Sequence, residues 1–378
     1  MISVCFRRAG HPAYSEIFDY PPAGVAYREA GLFRGREGTK PPLIHRMKRL
    51  GFGAYRKLRG DVNAVPISCG EDLIFSCGGV LVRSDRPWVT DAEHAYSLIA
   101  HRQRSSGAAG IISRTADHIS GSRCMILPWS NASKESIANL FGPAYKGIEG
   151  KVEVVYPAMH ISKGRPPKRR DGAVRFLFIS RSFWGKCGLE VIKAFEKVSA
   201  RCDCELAFLS RTPAEIESKF AGNPRIRFLH APLPREETLS LYRESDIFVL
   251  PTLFDTFGFV YLEAMSFSLP IIATRHFAVP EIVGDGSNGL LVEPEYGLFG
   301  SDRLYGFGSI EDLCAYTRAN FQARLTDSLA ARMGQLAEDG KLRARLGMAG
   351  RRMVEDGKFS IAERNRKLKA IFEGLGRA

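Results

Sequence analysis

Residues 251–270 read PTLFDTFGFVYLEAMSFSLP, and two carboxylates eight positions apart, Asp255 and Glu263, make this the stretch on which the fold turns. Before it, Asp246-Ile-Phe-Val-Leu250 is a short apolar run of the buried-strand kind, ended by Pro251. After it, Phe259 to Phe267 has helical character and stops at Leu269-Pro270. Phe257 and Gly258 therefore fall at the first turn of a helix, where unpaired backbone N–H groups and the positive end of the helix dipole favour an anion. Gly258, with no side chain, lets a ligand approach the backbone. One carboxylate in the loop and another two turns along the helix suit a hydroxyl-rich ligand, because an ionised carboxylate accepts several O–H hydrogen bonds.

The same alternation extends through the second half of the chain. Apolar strand-like runs at 174–180, 205–210, 226–229, 246–250, 270–274 and 289–293 are interleaved with helical runs at 189–200, 212–220 and 234–245. Strand and helix alternating over short connections predict a parallel, doubly wound sheet. Such sheets bind ligands beyond the carboxyl ends of their strands, which is where Arg181 and Asp255 fall. Arg181 and Lys186, in SRSFWGKCGLEVIKAFEKV, put two cations beside a helix N-terminus, an arrangement that neutralises a diphosphate. Taken singly, each reads first as a solvated surface cation, and the carboxylate motif reverses that reading.

These motifs resemble family-4 retaining glycosyltransferases. FDTFGFVYLEA is similar to the family's donor-site motif, two glutamates with seven residues between them that bracket Phe-Gly, the second followed by Ala, with Asp255 in place of the first glutamate. LPIIATRHFAVPEIVGDGSNGLLVEP continues the likeness, although a glycine pair usual before the Pro-Glu is replaced by Ala278-Val279. The Arg181–Lys186 segment resembles the family's Gly-Arg, gap, Lys-Gly, with Ser180 where glycine is usual and Cys187 between Lys186 and Gly188. The tail RRMVEDGKFSIAERNRKLKAIFEGL resembles the family's closing helix. The likeness covers roughly residues 150–375. It implies an α/β fold of GT-B type, two Rossmann-like domains facing across a cleft, with the last helix returning to the N-terminal domain. It further implies that Arg181, Lys186, Phe257, Gly258 and Glu263 bind the donor nucleotide. Glu263 would hold ribose hydroxyls, and Asp255 with the Phe257-Gly258 backbone would hold the donor sugar.

The first half is less legible. Apolar pieces at 2–6, 72–82, 86–90, 123–130 and 152–157 are candidate strands of a second sheet, and SNASKESIANLF (130–141) reads as a helix capped by Ser130 or Asn131. The glycine-rich loop common after the family's first strand is absent, since FRRAGHPAYSEIFDYP follows Cys5. In WVTDAEHAYSL (88–98), His94 stands where many relatives carry a histidine near the donor sugar, and it reads equally as a surface or inter-domain histidine. Asp91 and Glu93 read as charges at a helix N-terminus.

Composition fits a two-domain globular chain: 378 residues, 45% hydrophobic and 25% charged. No run approaches the roughly 18 apolar residues of a membrane span. The start MISVCFRRAG reads as a first strand and not as a signal peptide. Eight cysteines without a CxxC pair give neither a disulfide framework nor a zinc site by spacing, so a reduced cytoplasmic setting is expected. The net charge is +13, and nine Lys/Arg against one acid lie between Arg34 and Arg59. Apolar residues there recur at near-helical spacing, so residues 34–59 read either as a basic amphipathic helix on an anionic membrane surface or as a solvated face packed on its own domain. No nucleic-acid motif is present.

Four segments follow: an acceptor-binding domain at 1–162, a basic Pro/Gly-rich linker at 163–172, a nucleotide-sugar domain at 173–355 and a C-terminal helix at 356–378. The expected activity is retaining transfer of a sugar from a nucleoside-diphosphate sugar to a saccharide or lipid-linked acceptor in cell-surface glycan synthesis, with Asp255, Glu263, Arg181, Lys186 and His94 as catalytic candidates. No metal and no resident cofactor are expected, because side-chain cations take the place of a metal and no Asp-x-Asp motif lies near the site. Two other readings stand beside it, a non-catalytic scaffold that binds a sugar nucleotide or associates with membrane, and a sugar-nucleotide epimerase of the same fold.

Overall fold

Sequence positions 1–30, 62–99, 108–161 and 172–377 are described by the computed structural model of the chain. The basic run at 34–59 and the linker at 163–171 lie outside the described residues. The chain divides into two units, Met1–Pro157 with Arg364–Ala378, and Ala158–Glu363.

Unit 1 runs β1 (Ile2–Arg7), α1 (Pro12–Asp19), β2 (Val25–Glu29), β3 (Ala64–Pro66), β4 (Leu73–Ser76), β5 (Leu81–Arg83), β6 (Trp88–Ala92), α2 (Ala95–Leu98), α3 (Ala108–Gly121), β7 (Cys124–Pro128) and α4 (Asn131–Phe141). Five strands form a parallel sheet in the order β2-β1-β4-β6-β7, and β3 pairs with β5 separately. The expected strand at 72–82 is split in two. Gly78 and Gly79 take φ of +76° and +72°, and a Cβ on Gly79 would lie 2.4 Å from the Ser97 hydroxyl, so the chain turns sharply there. The expected strand at 152–157 does not form. Val152 makes a single bridge to Ile126, and only Glu153 and Val155 donate backbone bonds to β7, too few for a ladder. Ser130 caps α4 by accepting from the Ser133 N–H, as its position ahead of the helical run implies.

Unit 2 runs β8 (Val174–Ile179), α5 (Gly188–Ser199), β9 (Cys204–Ser210), α6 (Ala214–Phe220), β10 (Ile226–His230), α7 (Arg235–Arg243), β11 (Ile247–Leu250), α8 (Phe259–Ser266), β12 (Ile271–Thr274), α9 (Val279–Ile282), β13 (Gly289–Val292), α10 (Ile310–Ala319), α11 (Ala323–Glu338) and α12 (Gly340–Glu355), followed by α13 (Ile361–Arg377). Its six strands are all parallel, in the order β10-β9-β8-β11-β12-β13. Every residue of β11, β12 and β13 is buried, which is why their sequences are unbroken apolar runs and not alternating ones. The chain leaves β8 toward β9 on one side, while β11 lies on the other. The loops after β8 and β11 therefore diverge at a topological switch point, the place where open α/β sheets hold ligands.

Helix α13 groups with unit 1 from Arg364 onward. Leu368, Ile371 and Phe372, spaced i, i+3 and i+4 in an apolar stripe along one face of the helix, are buried, with the Phe372 ring 6.5 Å from Tyr27 and 6.4 Å from Phe75. The sequence pattern did not mark Arg364. It is 2% exposed, and its guanidinium donates to the Glu16 and Tyr20 carbonyls at 3.0 and 2.8 Å.

Candidate functional site

The switch point of unit 2 gathers Arg181, Lys186, Asp255, Phe257, Gly258 and Glu263 on two neighbouring loops and the helix that follows the second. Arg181 follows β8 and is exposed, and no ion pair ties it down among the described residues. Lys186 is the opposite case. It is 6% exposed, and its ammonium pairs with the Asp255 carboxylate. It also donates to Thr252 Oγ1 at 2.7 Å, and the Phe254 ring centroid lies 3.7 Å from Nζ. Burial pushes the Lys186 ammonium toward losing its proton, and the adjoining Asp255 carboxylate opposes this. The two residues read from sequence as separate ligand contacts are thus each other's partner.

Thr252 fixes this loop, since its hydroxyl also accepts from the Asp255 backbone N–H at 3.1 Å. Gly258 begins α8 in the left-handed region at φ +94°, where a Cβ would lie 2.6 Å from the Tyr261 ring and 3.6 Å from Asp255 Oδ2. Among the described residues no side chain caps α8. Its first turn is therefore left as an anion-favouring end immediately beyond the Asp255 loop. Phe257 is 1% exposed and packs on Phe359, with ring centroids 6.0 Å apart. Its side chain is a core anchor, and only its backbone faces the loop chemistry.

Glu263 lies two turns along α8 with a side chain 16% exposed. It pairs with Arg235 and accepts the Tyr242 hydroxyl at 3.0 Å. Burial and the Glu263 charge keep the Tyr242 phenol protonated, so Tyr242 is the donor. Sequence reasoning missed Arg235 and Tyr242, as well as Thr252 and His276. Thr252 lay inside the 251–270 stretch and His276 inside the quoted run that follows it.

His276 follows β12 and is 8% exposed, and a Cβ on Gly297 would lie 2.4 Å from its ring. Burial, reinforced by Arg303, pulls its pKa down to about 4, so the ring is neutral near pH 7. Beside it, Phe277 takes φ +45° and stacks on Phe299 with centroids 4.1 Å apart. The left-handed backbone that favours glycine thus falls one residue ahead of the Ala278-Val279 pair. Cys187, fully buried at φ +52°, is likewise the left-handed residue directly after Lys186. It therefore takes the backbone position that a Lys-Gly pair would give to glycine.

In unit 1, His94 caps α2, with Nδ1 accepting from the Tyr96 N–H at 3.2 Å, and is 1% exposed. The reading of Asp91 as a helix N-terminal charge is corrected. Asp91 is a strand residue in β6, 3% exposed. It accepts from the Gly78 N–H at 2.8 Å, the Tyr14 hydroxyl at 3.0 Å and the Trp129 indole at 2.6 Å. Burial raises its pKa to about 6 against the pull of those three donors. An apolar strand followed by a polar loop looked like a helix start, whereas β6 in fact extends two residues further.

Residues 173–297 match the family model described as "Glycosyl transferases group 1". Among curated proteins, the chain is 39% identical over 71 residues to the D-inositol 3-phosphate glycosyltransferase of Corynebacterium kroppenstedtii, a match covering 19% of this chain and 16% of that protein. It is 32% identical over 160 residues to the sulfoquinovosyl transferase of Arabidopsis thaliana, covering 41% and 28% respectively. The matches thus span less than a third of either relative's length. Among solved structures, the sucrose-phosphate synthase of Thermosynechococcus elongatus is similar over 99% of both chains, with TM-score 0.63 and 14% identity. A glycosyltransferase from Rickettsia africae is similar over 98% of this chain and 89% of its own, with TM-score 0.56 and 16% identity. Anabaena HepE, solved in complex with UDP-glucose, covers 100% of both at TM-score 0.58 and 13% identity. The fold is GT-B.

Proposed function

We propose that this chain is a glycosyltransferase that moves a sugar, with retention of anomeric configuration, from a nucleoside-diphosphate sugar to a saccharide or lipid-linked acceptor in cell-surface glycan synthesis. The observation that carries the reading is the joining of the Arg181–Lys186 loop to the Asp255–Gly258 loop, through the Lys186–Asp255 pair, at the switch point of a parallel sheet. The match of residues 173–297 to the group 1 family supports it. So do neighbours of the same fold crystallised with UDP and UDP-glucose.

In this reading the bond between the anomeric carbon and the departing phosphate oxygen breaks, and a bond to an acceptor oxygen forms on the same face. A donor phosphate oxygen takes the acceptor's proton, so no protein base is required. Negative charge grows on the departing diphosphate, and fixed cations that meet it lower the barrier without a metal. Arg181 is the accessible one. Lys186 supplies positive potential from beneath the loop while holding Asp255 toward the sugar. Glu263, held by Arg235 and Tyr242, is proposed for the ribose, and His94 for the sugar.

Binding of a panel of nucleoside diphosphates, measured by calorimetry with excess chelator present, tests the site. Arg181→Ala weakens the preferred ligand by about 1.5 to 3 kcal/mol, the worth of a charge-assisted hydrogen bond. Unchanged affinity would take Arg181 out of the site, and binding seen only after manganese or magnesium is restored would sink the metal-free reading. Release of free sugar from the donor without acceptor separates a transferase from a non-catalytic binder.

The charge of +13 further supports an acceptor presented at an anionic membrane surface, met by residues 34–59. No helix among the described residues is long and apolar enough to cross a membrane. Flotation with anionic vesicles at low salt is expected to carry the protein upward, and replacing Lys48, Arg49, Arg56 and Lys57 with Gln to abolish it. Wild-type protein left at the bottom of the gradient would point to a soluble acceptor.

A further inference from the structure

The spacing of the cysteines predicts no metal site, yet folding brings Cys5 of β1 together with Cys69 and Glu71 of the loop that enters β4. One ligand atom from each, two Sγ and a carboxylate oxygen, lies within 4.8 Å of the other two. These are soft thiol donors with one carboxylate, a set that suits zinc far better than magnesium or calcium. Two sulfurs bound tetrahedrally at about 2.3 Å lie about 3.8 Å apart, so closing on an ion requires movements of at most about 1 Å. Cys69 and Glu71 can supply that movement. Both are partly exposed and sit in a stretch without regular structure, whereas Cys5 is 4% exposed on a paired strand.

The electrostatics of the cluster favour a cation. All three groups become anions on losing a proton. Near them, the Arg28 guanidinium stands 3.8 Å from Glu71 with a side chain 75% exposed, too solvated to neutralise the cluster. The place is also mechanically suited to a clip. Next to it the Ser3 N–H and hydroxyl donate to Asp72 Oδ2 at 2.8 and 2.7 Å, so β1 and this loop are already held in register.

We propose that Cys5, Cys69 and Glu71 form a site for a zinc-class divalent cation in unit 1, with the fourth position left to water, separate from the loops of unit 2. Binding displaces the two thiol protons and ties β1 to the entry of β4.

The test uses the full chain, reduced and freed of metal. Titration with Zn²⁺ alone is expected to show one bound equivalent and a rise in the unfolding midpoint, and Co²⁺ to give the charge-transfer absorption of thiolate ligands. Cys69→Ser and Glu71→Gln, both in the partly exposed loop, are each expected to weaken Zn²⁺ at least about tenfold and to remove the rise in midpoint. Cys5→Ser is expected to abolish the cobalt absorption. Should Cys5→Ser fail to fold, the two loop variants still decide the matter. Absence of a zinc equivalent, or zinc binding that the loop variants leave unchanged, would overturn the proposal. A Cys5–Cys69 disulfide that zinc does not suppress, seen as the loss of two hydrogens in the mass, would also overturn it.

Discussion

Asp255→Asn is expected to destabilise unit 2 by about 3 to 5 kcal/mol at neutral pH, because it leaves the Lys186 ammonium buried without its counter-charge. The deficit depends on pH in a definite direction. With Asp255 gone, burial loses its main opponent and depresses the folded pKa of Lys186 further below the unfolded value. The charged form then weighs against folding at low pH, and the deficit narrows as rising pH lets Lys186 deprotonate within the fold. Lys186→Met combined with Asp255→Asn removes both charges, so the double variant is expected to be more stable than the sum of the two single losses allows, by about 1 to 3 kcal/mol. Chemical denaturation of the four proteins across pH measures this, and strictly additive losses would show that the pair does not couple. If Asp255 also grips the donor sugar, the Asn variant loses turnover much more than nucleotide affinity, since only the sugar end loses a charged acceptor.

Glu190→Gln has the second large expected effect. Glu190 is 1% exposed in the first turn of α5, where Oε1 accepts from the Gln322 N–H at 3.2 Å and Oε2 has no hydrogen-bond partner among the described residues. Burial raises its pKa from 4.5 to about 7, with Glu295 adding to the rise. A carboxyl whose folded pKa lies above its unfolded value contributes stability that is fully present below about pH 4.5 and is lost as pH rises through about 7. That loss amounts to about 3 kcal/mol at 1.36 kcal/mol per unit. The neutral amide of the variant does not titrate. Its stability relative to wild type is therefore expected to rise by about that amount between pH 4.5 and 8, read from denaturation midpoints. Parallel pH profiles for the two proteins would mean that Glu190 stays ionised in the fold.

The helix cap at Ser130, the apolar stripe of α13 and the unbroken strand runs of unit 2 could be read directly from sequence, because each rests on residues close together along the chain. The candidate site was legible to the same degree. Arg181, Lys186, Asp255 and Gly258 sit in short loops after apolar runs, and the sheet rule alone puts such loops at the ligand edge. The misreadings share a cause. Residues 72–82 look like one strand until Gly79 meets Ser97, and 152–157 looks like a strand until too few of its backbone groups find partners on β7. Asp91 looks like a helix charge until Tyr14, Gly78 and Trp129 converge on it.

The sequence by itself determined the six strands of unit 2, the helices between β8 and β12 and which loops carry charge, since periodicity, prolines and caps act over a few residues. Tertiary structure alone decided who pairs with whom. Lys186 meets Asp255, and Arg235 with Tyr242 meets Glu263, because β8 lies beside β11 and α7 beside α8. Cys5 meets Cys69 and Glu71 because β1 lies beside β4. Strand order is set by the burial of whole sheet faces against their helices, a sum over many distant contacts that no local pattern records. For that reason two cations that read alike in the sequence end as one exposed arginine and one buried, neutralised lysine.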